Sequence, residues 1–148
     1  MYKKILIPVD GSDLSNAAVK NGCAFAKEIG ARIVFYHARP SYFPDYVSGE
    51  LSVGVVGADV AFINAMKKQA NSLLAKAELE ANQIGVTCEK FSDENFAPYE
   101  GIIAAAESTD CDLIFMASHG RRGASALLLG SETQKVLTHC KIPVLVYR

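Results

Sequence analysis

The apolar positions of this chain follow two different periods. Five short runs read as strands: Ile5–Val9, Arg32–Ala38, Val86–Phe91, Asp112–Ala117 and Pro143–Tyr147. The first, fourth and fifth are almost continuously apolar, as expected of strands buried on both faces of a parallel sheet. Between the first two runs, Leu14, Ala18, Gly22, Phe25 and Ile29 recur at helical spacing, and Gly30 supplies a C-terminal stop. A second helix places Phe62, Met66, Ala70, Leu73, Ala77, Ala81 and Ile84 on one face and ends at Gly85. A third begins near Pro98, a good first-turn residue, and carries Tyr99, Ile102, Ile103 and Ala106 inward. The fourth starts at Ser131, with Val136 and Leu137 toward the core and Ser131 with Gln134 as a capping box.

Strand and helix alternate throughout. That order implies right-handed crossovers and an α/β fold: one doubly wound five-stranded parallel sheet with helices on both faces. The length of 148 residues fits one domain spanning 1–148. No internal repeat or low-complexity stretch interrupts it. The segment from Arg39 to about Asp59 is a long connection rich in Pro, Gly, Ser and Tyr, of the kind used for lids and binding loops.

Composition narrows the function by exclusion. The formal charge is -1, without a basic stripe, which argues against nucleic acid as partner. No apolar run reaches the roughly 18 residues needed to cross a membrane. The opening apolar piece is too short for a signal peptide, so a cytoplasmic location is expected. Cys23, Cys88, Cys111 and Cys140 are scattered and read as small buried side chains rather than disulfides. Neither they nor the three histidines offer the closely spaced pairs that a zinc site draws on, and no metal site is expected.

In open α/β sheets, ligands bind beyond the carboxyl ends of the strands, where the winding direction reverses. That rule selects Pro8–Ser12, His37–Arg39 and Ala117–Gly123. Asp10 has two readings: a carboxylate for a ribose hydroxyl or a base amine, or a side-chain turn with Gly11 and Ser12 that starts the first helix. Gly120, Gly123 and Gly130 also have two. They let backbone N–H groups approach a phosphate at a serine-led helix N-terminus, or they are turn residues with Ser131 as a plain N-cap. Neither G-x-x-x-x-G-K-[ST] nor G-x-G-x-x-G is present, so a P-loop enzyme and a dinucleotide dehydrogenase are unsupported. His119 has no serine or cysteine nucleophile evident beside it.

The run Ile5-Leu6-Ile7-Pro8-Val9-Asp10-Gly11-Ser12 resembles the opening of universal stress proteins, and Met116 through Arg148 resembles that family's C-terminal signature. Its ATP-binding members carry G-x2-G-x9-G-[ST]; Gly120, Gly130 and Ser131 match the second part, and Ala117 replaces the first glycine. The extra methyl is cheap unless position 117 needs a positive φ, where it would cost roughly 1–2 kcal/mol. The resemblance implies an adenine nucleotide alpha hydrolase-like fold and a stress-response sensor or regulatory module that binds ATP or AMP. It implies that Pro8, Val9 and Asp10 line the adenosine, that Ala38 offers backbone groups to the adenine edge, and that Met116 and Ala117 sit by the ribose. His119, Gly120, Gly130, Ser131, Glu132 and Thr133 would hold the phosphates, Glu132 through its backbone N–H, with Arg121 and Arg122 as further contacts. Any magnesium would arrive with the phosphates. The resemblance also implies a homodimer through the last strand, Ile142–Tyr147. Two other functions stay open: a dimeric interaction module without nucleotide, which Ala117 favours, and a slow ATPase, against which no dedicated carboxylate cluster or water-activating base is seen.

Overall fold

The computed structural model describes residues 1–41, 56–120 and 129–148, with 56–59 described by backbone alone. Five strands and four helices alternate: β1 Lys4–Pro8, α1 Asp13–Ile29, β2 Arg32–Arg39, α2 Val56–Ile84, β3 Cys88–Glu94, α3 Pro98–Ser108, β4 Leu113–Ala117, α4 Ser131–His139 and β5 Val144–Tyr147. The sheet order is β3-β2-β1-β4-β5, with every described pairing parallel. The chain winds outward from β1 through β2 to β3, then returns past β1 to β4 and β5. The reversal therefore falls between β1 and β4.

The alternation within each strand divides the core in two. Ile5, Ile7, Ile33, Phe35, Leu113 and Phe115 face α1 and α2, where Ala18, Cys23, Leu74 and Ala77 cover them. Leu6, Val34, Tyr36, Ile114 and Met116 face the other way, onto Ile102, Ala105 and Ala106 of α3 and Val136 of α4. The central strands thus carry apolar side chains on both faces, which is why their sequences show no polar alternation. Gly30 and Gly85, after α1 and α2, adopt φ values of 71° and 72°, the left-handed conformation that ends a helix.

Several expectations are corrected. β3 runs from Cys88 to Glu94, not from Val86 to Phe91; Val86 is buried ahead of the strand and Phe91 is exposed. The strand lies at the sheet edge, so its side chains face water and little apolar pattern marks its ends. β5 is half-buried along its whole length rather than enclosed on both faces, because it is the opposite edge. Leu137 is 42 % exposed and Ile84 39 % exposed, since Val136 and Ala81 occupy the inward positions of their helices. Only Cys23 and Cys111 are buried; Cys88 and Cys140 are half-exposed, and all four are free thiols. The long connection is shorter than expected, because helix α2 already includes Val56 to Asp59. Its remainder, 42–55, and the pair Arg121 and Arg122 with Gly123 lie outside the described residues.

Candidate functional site

A cavity of about 620 Å³ opens beyond the carboxyl ends of β1, β2 and β4, at the winding reversal. All twelve residues singled out above line it: Pro8, Val9, Asp10, Ala38, Met116, Ala117, His119, Gly120, Gly130, Ser131, Glu132 and Thr133.

At the β1 end, the chain leaves the sheet through a turn that Asp10 organises. Its Oδ1 accepts from the Ser12 backbone N–H at 2.9 Å, and Gly11 takes a φ of 82° to make the bend. Ser12 then caps α1, its hydroxyl accepting from the Ser15 N–H at 3.2 Å. The turn-forming reading of Asp10 is therefore realised. The carboxylate still reaches the cavity, because a Cβ at Gly120 would collide with its Oδ2. A side chain at 120 would therefore have to displace the Asp10 carboxylate, which joins the β1 turn to the β4 loop.

On the opposite side of the opening, Gly130 supplies the N-cap position of α4 and Ser131 is the first helical residue. Among the described residues no side chain caps this helix, and the expected Ser131–Gln134 box is not formed. Instead the Gln134 Nε2 donates to the Leu129 carbonyl at 3.1 Å. The box fails because the chain enters α4 one residue earlier, with Gly130 N–H donating to the Ser118 carbonyl at 2.8 Å. A Cβ at Gly130 would lie 3.0 Å from His119 Cα. The first-turn N–H groups of Ser131, Glu132 and Thr133 thus have no cap among the described residues and lie beside the cavity, at the positive end of the helix dipole. Thr133 is buried and its hydroxyl donates to the Ala117 carbonyl at 3.0 Å, tying α4 to the end of β4.

The Glu132 carboxylate turns away from that helix end. Its Oε2 accepts from the Tyr99 backbone N–H at 2.8 Å, and its Oε1 from Lys135 Nζ at 3.2 Å. Ala97, at the N-cap of α3, has no side-chain bond to offer. Glu132 therefore caps α3 from a neighbouring helix. The helix N-termini at the cavity differ as a result: α1 is capped by Ser12 and α3 by the Glu132 carboxylate, while α4 has no side-chain cap among the described residues.

The universal stress protein family model matches residues 1–148, the whole chain. The chain belongs to the universal stress protein family. It is 33 % identical over 149 residues to a universal stress protein of Thermus aquaticus, covering all of both chains. It is 32 % identical over 148 residues to one from Methanocaldococcus jannaschii, covering all of this chain and 83 % of the relative. Solved family structures share the fold. A universal stress protein in complex with cAMP superposes with a TM-score of 0.66 at 24 % identity, over 99 % of this chain and 97 % of the other. One from Archaeoglobus fulgidus in complex with dAMP gives 0.66 at 16 % identity, over 99 % and 98 %. One from Arabidopsis thaliana with AMP bound gives 0.62 at 16 % identity, over 97 % and 90 %.

In this universal stress protein, Ala117 closes β4 and pairs with Tyr147. Among the described residues only Asp110 combines a side chain with a positive φ, so alanine at 117 carries no backbone strain. Sequence reasoning passed over several cavity residues. Buried His37, which the strand-end rule had selected, is not one of them: its Nδ1 donates to the Val9 carbonyl at 2.6 Å and fixes the β1 exit against β2. Those passed over include Ser15, Tyr36, Asn95, Phe96, Pro98, Ile102 and Lys135. The rule that selects strand ends would have found the Asn95–Ala97 loop, had β3 been placed correctly. Among the described residues, no group of three His, Cys, Asp or Glu side chains could hold a metal ion, and no helix is long and apolar enough to cross a membrane.

Proposed function

We propose that this protein binds an adenine nucleotide, ATP or AMP, as a sensor or regulatory module rather than turning it over. The observation that carries this reading is the N-terminus of α4, without a side-chain cap among the described residues and set beside a cavity that joins apolar walls to Asp10, Asn95 and His119, with Gly130 packed closely on residues 118–119. Three orphan N–H groups and a helix dipole suit an anion, and an apolar recess next to them suits the ring to which the anion is attached.

In the bound state the phosphates lie against Gly120, Gly130 and the backbone of Ser131, Glu132 and Thr133, beside His119. The ribose lies between Asp10 and the Met116–Ala117 strand end, and the base reaches Pro8, Val9 and the Ala38 backbone. Any magnesium comes with the phosphates. The family members solved with cAMP, dAMP and AMP support the ligand class. Ala117 does not speak for the nucleotide-free alternative, because its backbone is ordinary strand. We also propose that two copies pair through β5, which hydrogen-bonds to β4 on one side only and ends the sheet with an apolar Val-Leu-Val-Tyr run.

The test is to release any ligand carried through purification, identify it by mass spectrometry, and titrate ATP and AMP calorimetrically. Micromolar binding abolished by Gly130→Val is the expected result. No carried ligand and no heat at millimolar nucleotide would refute the reading and leave the β5 surface as the place to look.

A further inference from the structure

The first turn of α4 carries a carboxylate where an anion is to bind, and the fold holds it aside. Glu132 Oε2 accepts from the Tyr99 N–H at 2.8 Å and its Oε1 from Lys135 Nζ at 3.2 Å. Lys135 is the only lysine or arginine among the described residues that line the cavity. Helical side chains lean toward the N-terminus, so from position 135 the ammonium lies back along the first turn of α4. It also stands 5.3 Å from the centroid of the Tyr99 ring, in the first turn of α3. The charge therefore sits between the N-terminal turns of two helices. It is held there loosely. The Lys135 side chain is 47 % exposed and that of Glu132 36 %, and an ion pair so open to water binds its partners weakly. An ammonium has three donors, so a second acceptor can join Glu132 or replace it.

We propose that Lys135 sets the number of phosphates this site prefers, favouring a nucleoside triphosphate over a monophosphate by sharing its ammonium between Glu132 and the outer phosphates. This rests on the nucleotide reading above and deepens it. The α4 N–H groups serve a phosphate of either ligand, and the pull of the helix dipole falls off within the first turn. Phosphates beyond the first need further positive charge, and the flexible four-carbon stem of Lys135 lets the ammonium follow them. Glu132 keeps its bond to Tyr99 meanwhile, so α3 stays capped whichever partner the ammonium takes.

Calorimetry compares ATP with AMP in magnesium-free buffer on the unmodified protein, Lys135→Met and Lys135→Arg. Methionine keeps the apolar stem and removes only the charge, at a half-exposed position outside the core. The unmodified protein is expected to bind ATP more tightly than AMP. Lys135→Met should lower ATP affinity about 3- to 10-fold and AMP affinity less than about 2-fold, and make ATP binding less sensitive to salt. Lys135→Arg should restore both affinities. A second pair of variants separates contact with phosphate from mere neutralisation of Glu132. Glu132→Gln keeps an acceptor for Tyr99 but carries no charge, and Lys135→Met should still lower ATP affinity in that background. Loss of the effect there, an equal fall for both nucleotides in Lys135→Met, or an unmodified protein that binds AMP as tightly as ATP overturns the role of Lys135 alone. An unmodified protein that binds neither nucleotide, with or without magnesium, overturns the nucleotide reading and this inference with it.

Discussion

Gly130 tests the geometry of the site most directly. Its φ of -61° and ψ of 151° are open to any residue, so Gly130→Ala introduces no backbone strain. The difficulty is space. The new methyl would sit 3.0 Å from His119 Cα, 3.1 Å from His119 Cβ and 3.3 Å from the Ser118 carbonyl oxygen. Two of these are backbone atoms, and the segment is anchored where Ser118 N–H donates to the Tyr147 carbonyl at 2.7 Å. Relief therefore requires α4 to move away from β4. Overpacking of this kind costs about 1–3 kcal/mol. Restricting the unfolded chain recovers about 0.4–1 kcal/mol. The net loss lies between about 0 and 2.6 kcal/mol, centred on about 1.3 kcal/mol, a central fall in Tm of about 3–5 °C for a domain of this size. Gly30→Ala is the control. Its φ of 71° is unfavourable to a side chain, but nothing lies within 4 Å. It should lose about 1–2 kcal/mol from backbone strain alone. Thermal melts and AMP titrations on both variants separate the mechanisms: both melt earlier, and only Gly130→Ala binds AMP more weakly. A Gly130→Ala protein as stable as the parent, or an equal binding loss in Gly30→Ala, would refute the reasoning.

Three further outcomes are expected. Gly101→Ala should destabilise the fold by about 1–3 kcal/mol, because its Cβ would collide with the Tyr36 hydroxyl, which donates to Asp93 Oδ1 at 2.6 Å. Adding Tyr36→Phe to that variant removes the obstructing oxygen and should recover part of the loss in a urea double-mutant cycle; strict additivity would contradict this. Glu132→Ala should cost about 1 kcal/mol in urea by uncapping α3 at Tyr99, and an unchanged midpoint would show that the cap carries no weight. Burial alone would raise the Asp112 carboxyl, but the N–H groups of Lys4 and Lys3 donate to it and hold it below its ordinary value. A depressed carboxyl binds its proton less tightly in the folded state. Its stabilisation is complete above the unfolded value of about 3.9 and is lost as the pH falls below it. Asp112→Asn should therefore flatten the acid limb of the stability profile; an identical limb in both proteins would sink the assignment.

The candidate site was legible as a set of strand ends, because the rule that places ligands there needs only the positions of β1, β2 and β4. Those strands are central, so both faces are apolar and the runs stand out. The neighbouring Asn95–Ala97 loop was missed for the converse reason. β3 is an edge strand whose Cys88–Glu94 sequence is largely exposed and polar, and its end could not be fixed by hydrophobicity. Glu132 shows a different limit. Its position at the start of α4 was evident, but its carboxylate bonds to Tyr99, 33 residues earlier in the chain. Nothing local distinguishes that arrangement from a carboxylate left in water.

What the sequence determined by itself was the element order, the parallel sheet and the helix ends at Gly30 and Gly85, since these follow from short-range periodicity and from the one residue type that accepts a positive φ without strain. The tertiary structure alone decided which helix N-terminus is capped from another helix, that Gly130 serves close approach to the 118–119 backbone rather than φ, and that Phe96 lines the mouth of the cavity. Each of these depends on distances between segments remote in sequence, and such distances are set only when the sheet and its helices pack together.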